Sequence, residues 1–307
     1  MTSDRAIRVS GLRKSYGGHE AVRGIDFEVR TGEVFGLLGP NGAGKTTTVE
    51  ILEGYRQRDG GDVSVLGVDP WKADAAHRAR IGVVLQQSQL PPALTVREVH
   101  SMFAGYYARP RDVDEVIELA GLSDKAGERV KTLSGGQKRR LDLGVALVGD
   151  PELVFLDEPT TGLDPAARRA LWTLVEDLRA SGTSVLLTTH YMEEAEVLCD
   201  RLAIMDHGKV LELGTVEELV SKHFKDRAVR FDTDEGLEAG QLESLPGVTS
   251  VAIDDTETLV YTRDVGATIG ALLSAAEARG IEPQNLAIRR ASLEDVFLKL
   301  TGRALRD

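Results

Sequence analysis

The sequence predicts an α/β fold. It has a mostly parallel core sheet, an antiparallel β segment and a helical segment, with a smaller α+β unit at the end. Three observations carry this. Residues 39–46 read GPNGAGKT and lie between a short apolar run, EVFGLL (33–38), and a helix-like stretch, TTTVEILEGY. Two further apolar runs, LVFLD (153–157) and VLLTT (185–189), have the length and unbroken character of strands buried on both faces. After Gly214 strand and helix patterns alternate afresh, over about a third of the chain.

The elements follow in chain order. IRVSGL and GIDFEVR, within residues 6–30, alternate polar and apolar side chains and predict antiparallel strands. GPNGAGKT matches the phosphate-binding pattern G-x-x-x-x-G-K-[ST] in the strand–turn–helix setting that the mechanism requires. The backbone of Gly39, Pro40, Asn41, Gly42, Ala43 and Gly44 can cradle an anion at a helix N-terminus, with Thr47 beside it. Lys45 then reaches the β- and γ-phosphates, and the Thr46 hydroxyl ligates Mg²⁺. A nucleoside triphosphate with Mg²⁺ is therefore the expected ligand. IGVVL ends at Gln86, with Gln87 adjacent; Gln86 is favoured for a role because it directly follows the apolar run.

From Leu90 to about Gly149 the pattern turns helical. Residues 133–137 read LSGGQ, where Ser134 can cap a helix through KRRLDLGVALVG that ends before Asp150-Pro151. The basic run Lys138-Arg139-Arg140 reads as a solvated face of that helix. LVFLDEP (153–159) is a strand ending in Asp157 and Glu158, where one carboxylate suits Mg²⁺ and its neighbour suits a water-activating base. TGLDP follows, and VLLTTH puts His190 at a strand end.

The tail reads as a linking helix, VEELVSKHF, and then strand, helix, strand, strand, helix, strand. That is the split βαβ, ferredoxin-like order. It closes with SLEDVFLKLTGR, a helix whose Ser292 and Asp295 form an N-cap pattern and whose Leu293, Val296, Phe297 and Leu300 share an apolar stripe. No catalytic constellation accompanies it, so an accessory or regulatory unit is expected.

Composition narrows the classes. With 307 residues, 42% hydrophobic, there is material for two domains. A net charge of −12 disfavours broad nucleic-acid binding, which needs a dense basic face. The one cysteine, Cys199, allows no internal disulfide. MTSDRAIRVSG has no apolar core segment, so no secretory signal is expected, and no apolar run approaches the ~20 residues of a bilayer span.

Phosphate loop, LSGGQ, LDEP, LDP and a strand-end histidine, in that order, resemble the nucleotide-binding subunit of an ABC (ATP-binding cassette) transporter over roughly residues 6–215. The closing SLEDVFLKLTGR resembles ATPases of the daunorubicin-resistance type, an antibiotic and multidrug efflux branch. The resemblance implies a cassette over 1–215, with a helical subdomain at about 88–149, and an accessory domain over 216–307. It implies adenine stacking on Tyr16, catalytic roles for Glu158 as base, His190 and Gln86, and Mg²⁺ contacts from Thr46, Gln86 and Asp157. Leu133, Ser134, Gly135, Gly136 and Gln137 would contact ATP held by a second subunit, and Asp164 would couple the two sites. It further implies a homodimer, a separate multi-spanning permease docked in a groove beside the helical subdomain, and a place on the cytoplasmic face of the membrane. Neither nucleic acid nor the transported substrate would touch the chain. TGLD stands where many relatives have SALD, without putting a catalytic role in doubt. The alternative, a soluble mechanical ABC ATPase uncoupled from transport, would call for tandem cassettes or coiled-coil arms, and neither pattern occurs in the sequence.

Overall fold

A computed structural model describes residues 5–85, 89–224, 227–232, 237–254 and 256–302. The described residues divide into two compact units, one up to Val216 and one from Glu217 onward.

In the first unit, β1 (Arg5–Tyr16) and β2 (His19–Arg30) pair antiparallel, as their alternation predicts, and β4 (Gly60–Val65) joins the other edge of β1. The second sheet has six strands. Five run parallel: β3 (Val34–Leu38), β5 (Ile81–Val84), β6 (Leu153–Asp157), β7 (Ser184–Thr189) and β8 (Arg201–Asp206). β9 (Lys209–Gly214) closes one edge antiparallel, giving the order β5-β6-β7-β3-β8-β9. Every residue of β3, β6 and β7 is buried, which is why these runs are continuously apolar up to their polar tips. Sheet packing is tight. A Cβ on Gly36 would come within 2.6 Å of Cys199 Sγ.

Helices α1 (Lys45–Leu52) and α2 (Ala75–Arg78) follow β3 and β4. The stretch between β5 and β6 holds α3 (Val96–Ala104), α4 (Val113–Leu119) and α5 (Gly135–Leu147). Their apolar faces meet in a core of their own that includes Val96, Val99, Ile117, Leu122 and Leu141. A capping box fixes the start of α3: Thr95 Oγ1 accepts from Glu98 N at 3.2 Å and Glu98 accepts from Thr95 N at 2.8 Å. α6 (Pro165–Ala180) and α7 (Met192–Leu198) complete the unit, with Leu171, Trp172 and Val175 buried under α6.

After α8 (Val216–His223), the second unit runs β10 (Arg227–Asp232), α9 (Ala239–Glu243), β11 (Val248–Ile253), β12 (Glu257–Thr262), α10 (Val265–Glu277) and β13 (Ala287–Arg290). Its sheet is antiparallel with order β11-β12-β10-β13, the strand order of a split βαβ unit. α11 (Leu293–Thr301) ends it. The expected cap is present, with Ser292 N donating to Asp295 Oδ2 at 2.7 Å. Asp295 also accepts from Tyr261 Oη at 3.2 Å and from Arg289 at 3.2 Å. Leu293, Val296 and Phe297 are already buried in the single chain, while Leu300 is only half-buried.

Phe231 is fully buried in the core formed with Val229, Leu242, Val260 and Leu272. Phe231→Ala should destabilise the second unit by about 3–5 kcal/mol. Chemical denaturation would show this as an earlier transition for that unit, with ATP affinity unchanged because residues 39–47 lie in the first.

Candidate functional site

The parallel sheet assembles the site by register. Leu38 pairs with Thr189 and Asp157 with Thr188, so β3, β6 and β7 deliver their C-terminal turns to one edge. The phosphate loop occupies the first of these turns. Gly44 sits at φ 100°, before the first helical residue, and a Cβ there would lie 2.5 Å from Ala21 O. At Gly39 a Cβ would collide with the Met205 carbonyl. Both positions need glycine. Lys45 is 4% exposed. Its Nζ donates to Gly39 O at 2.6 Å and Pro40 O at 3.2 Å and lies 3.5 Å from Glu158 Oε1. Burial lowers its pKa, and the Glu158 carboxylate opposes that.

Glu158 stands at the second turn, 8% exposed, with a left-handed backbone at φ 45°. Its amide donates to Thr188 Oγ1 at 3.0 Å and Thr188 O at 3.2 Å. Its carboxylate accepts from Thr161 Oγ1 at 3.3 Å and faces His190 Nδ1 at 3.3 Å. Asp157 Oδ1 accepts from Thr188 Oγ1 at 2.5 Å. Burial pushes the Asp157 carboxyl up, against the pull of that hydrogen bond. Lys45, Asp157, Glu158 and His190 thus meet around one point.

The cavity in front of Lys45 measures about 240 Å³ and is lined by Tyr16, Asn41, Thr46, Thr47 and Glu158, among others. Tyr16 is 39% exposed, and the Arg56 guanidinium lies 5.1 Å from its ring centroid. Glu158 also lines a second cavity of about 520 Å³, shared with Gly135, Thr161 and Leu163. The LSGGQ segment therefore borders that second cavity. Among the described residues no hydrogen bond or ion pair joins Ser134–Gln137 to residues 39–47. Ser134 and Gln137 form a capping box: Ser134 N donates to Gln137 Oε1 at 2.8 Å, and Gln137 N donates to Ser134 Oγ at 3.3 Å. Leu133 is buried, and a Cβ on Gly136 would meet Ala167. Asp164 caps α6, accepting from Ala166 N and Ala167 N at 3.0 Å each. Gln86 and Gln87 lie outside the described residues.

Residues 22–161 match the ABC transporter family, and residues 214–301 match the C-terminal domain of DrrA1-3-like ATP-binding proteins. The Nod factor export ATP-binding protein I of Ralstonia nicotianae is 41% identical, over 98% of this chain and 95% of its own. The chain belongs to the ATP-binding subunits of ABC transporters. The daunorubicin resistance ATP-binding protein DrrA3 of Streptomyces coeruleorubidus is 40% identical, over 98% of this chain and 97% of its own. A bacterial ABC transporter cassette, MJ0796, solved as a dimer, is 25% identical with a TM-score of 0.61, over 68% of this chain and 98% of that one. This ABC subunit binds ATP and is an ATPase. Among its described residues no helix is long and apolar enough to cross a membrane.

Three residues of the ABC subunit escaped sequence reasoning. Thr188 holds both carboxylate positions, and its only signal was a Thr-Thr pair at the tip of an apolar strand. Arg139 is not part of a solvated face: it is 8% exposed, turned inward onto backbone carbonyls. Glu53 lines a third cavity, about 340 Å³, with Tyr55, Phe103 and Tyr107. Its Oε1 is buried without a hydrogen-bond partner among the described residues.

Burial first, then the Asp157 and Glu50 carboxylates, push the Glu53 carboxyl up from 4.5 to about 8. The folded value is raised, so protonated Glu53 supports the fold fully below about pH 4.5, and that support is lost as pH rises through about 8. Glu53→Gln cannot ionise. It should melt with the wild type near pH 5 and above it near pH 9, by up to a few kcal/mol. Parallel thermal melts across that range check this; a constant gap would place the ionisation elsewhere.

Proposed function

We propose that this ABC subunit uses Glu158 as general base to hydrolyse ATP and so powers efflux of a drug-like or other hydrophobic substrate. The substrate would pass through a separate, multi-spanning permease, to which the subunit binds at the cytoplasmic face of the membrane. The observation that carries the catalytic part is the Glu158 carboxylate held within 3.5 Å of Lys45 Nζ and 3.3 Å of His190 Nδ1. The names of the export and resistance relatives support the transport part.

Each residue has a task in this reading. The loop amides and Lys45 hold the β- and γ-phosphates, and Tyr16 stacks on the adenine. Glu158 orients the attacking water and takes its proton, while His190 steadies the γ-phosphate. The Thr46 hydroxyl and Asp157 carboxylate, with Gln86, form an all-oxygen donor set of the kind Mg²⁺ takes. Asp157 fits that task because Thr188 fixes its orientation. When bound, Mg²⁺ would neutralise charge on the phosphates. Asp164, at the start of α6, would link the two sites of a dimer.

The dimer is a C₂ pair with two ATP molecules sandwiched head to tail, each between Lys45 of one subunit and Ser134 and Gly136 of the other. Exposed Ser134 and the dimeric MJ0796 cassette support it. Permease docking is assigned to the cavity with Tyr55, which is 69% exposed, and Phe103 and Tyr107.

Loss of a positioned base costs ~10²–10⁴ in rate. Glu158→Gln should therefore bind ATP and turn over that much more slowly, and ATP should drive it to a dimer in sedimentation. Near-wild-type turnover would move the base elsewhere, and a monomer at saturating ATP, even with its permease, would count against the sandwich.

The second unit is assigned an interaction role that biases the dimer. Leu293, Val296 and Phe297 of the α11 stripe are already buried in the single chain, so contact with a partner would run through exposed side chains such as Ile288 and Leu298. Removing residues 216–307 should leave ATP affinity unchanged and weaken dimer assembly or resistance conferred with the permease. Equal resistance from a soluble truncated chain would make the unit a passive extension.

A further inference from the structure

Helix α5 begins at the LSGGQ capping box and, one turn on, sends Arg139 inward rather than to solvent. The guanidinium makes no ion pair within 4 Å among the described residues. It donates instead to four backbone carbonyls: Nε to Pro159 O at 2.9 Å, Nη2 to Asp157 O at 2.8 Å and Glu158 O at 3.3 Å, and Nη1 to Leu85 O at 2.5 Å. A planar fork with five donors suits such a cluster of acceptors; a lysine ammonium does not.

Three of those carbonyls belong to the turn that carries Glu158. That turn holds a non-glycine residue at φ 45°, a conformation that persists only where its surroundings impose it. Thr188 grips the amide side of Glu158, and Arg139 grips the carbonyl side. The carboxylate is left to face Lys45 and His190. The fourth carbonyl, Leu85 O, ends the segment from which Gln86 follows. One side chain therefore joins the LSGGQ helix to the backbone of the Glu158 turn and to the end of β5.

We propose that Arg139 is a positioning residue for ATP hydrolysis, holding the Glu158 turn in its reactive geometry and making that geometry depend on how α5 is seated. This rests on Glu158 as the base. Arg139 does not face the phosphate loop, so nucleotide affinity does not depend on it.

The test uses the full chain, with Arg139→Lys keeping the charge and Arg139→Gln keeping two donors without it. Expected for both is a kcat lower by about 10–100-fold, as for a displaced catalytic group, with KM and ATP affinity within about threefold of wild type. A double-mutant cycle separates positioning from general stability. In the Glu158→Gln background, Arg139→Lys should add little further loss in single-turnover hydrolysis, because the two residues act as one unit. The inference is overturned by an unchanged kcat, by losses that multiply in the cycle, by a parallel fall in ATP affinity, or by both variants failing to fold. If Glu158→Gln alone keeps its turnover, the base assignment is what fails, and a reduced kcat in Arg139→Lys then belongs to another group.

Discussion

The site depends on the register of three parallel strands. β3, β6 and β7 are buried on both faces, so their backbones are held by hydrogen bonds on both edges and cannot slip without moving every apolar side chain. The pairings Leu38 with Thr189 and Asp157 with Thr188 then set how far each strand projects at its end. The relative position of Lys45, Glu158 and His190 follows from that projection. A one-residue slip would displace a turn by about 3.3 Å, the full length of the Glu158–His190 approach.

Burial gives the cluster its electrostatic character. Lys45 and Glu158 are each at least nine-tenths buried, and the same burial works in opposite directions on the Lys45 amine and the Asp157 carboxyl. Neither charge is far from a partner. A buried pair of this kind contributes little net stability, since desolvation offsets attraction. Its value lies in fixing where charge resides before a triphosphate arrives. Neutral donors do the remaining work: the Thr188 hydroxyl and the Thr161 hydroxyl orient the two carboxylates without adding charge.

Much of the fold was legible because each signal had one structural solution. The phosphate loop needs glycine at Gly39 and Gly44 for contacts that the structure displays, and the continuous apolar runs became fully buried strands. In the second unit, the order of strands and helices in the sequence led to the observed β11-β12-β10-β13 sheet. The helix caps expected at Ser134 and Ser292 are both present, each as a capping box. Arg139 was illegible for a definite reason. Its partners are backbone carbonyls, which leave no trace in residue identity, and its basic neighbours disguise it as surface. Thr188 was hidden similarly, since a β-branched residue in a strand is ordinary. Glu53 lies only just beyond α1, and its environment depends on burial first and then on the carboxylates of Asp157, from β6, and Glu50.

The placement of α3, α4 and α5 bears on how such a cassette can diversify. They lie in the connection between β5 and β6, which are adjacent parallel strands. Any such pair needs a crossover, and α5, packed on β5, supplies it. Residues 89–132 are then an elaboration of the loop before the crossing helix, with a small core that they share with Leu141 of α5. Their length and surface can drift from one homologue to another without re-registering a single strand. Natural selection could thus retool the outer surface of this segment while the register of β3, β6 and β7 stays as it is.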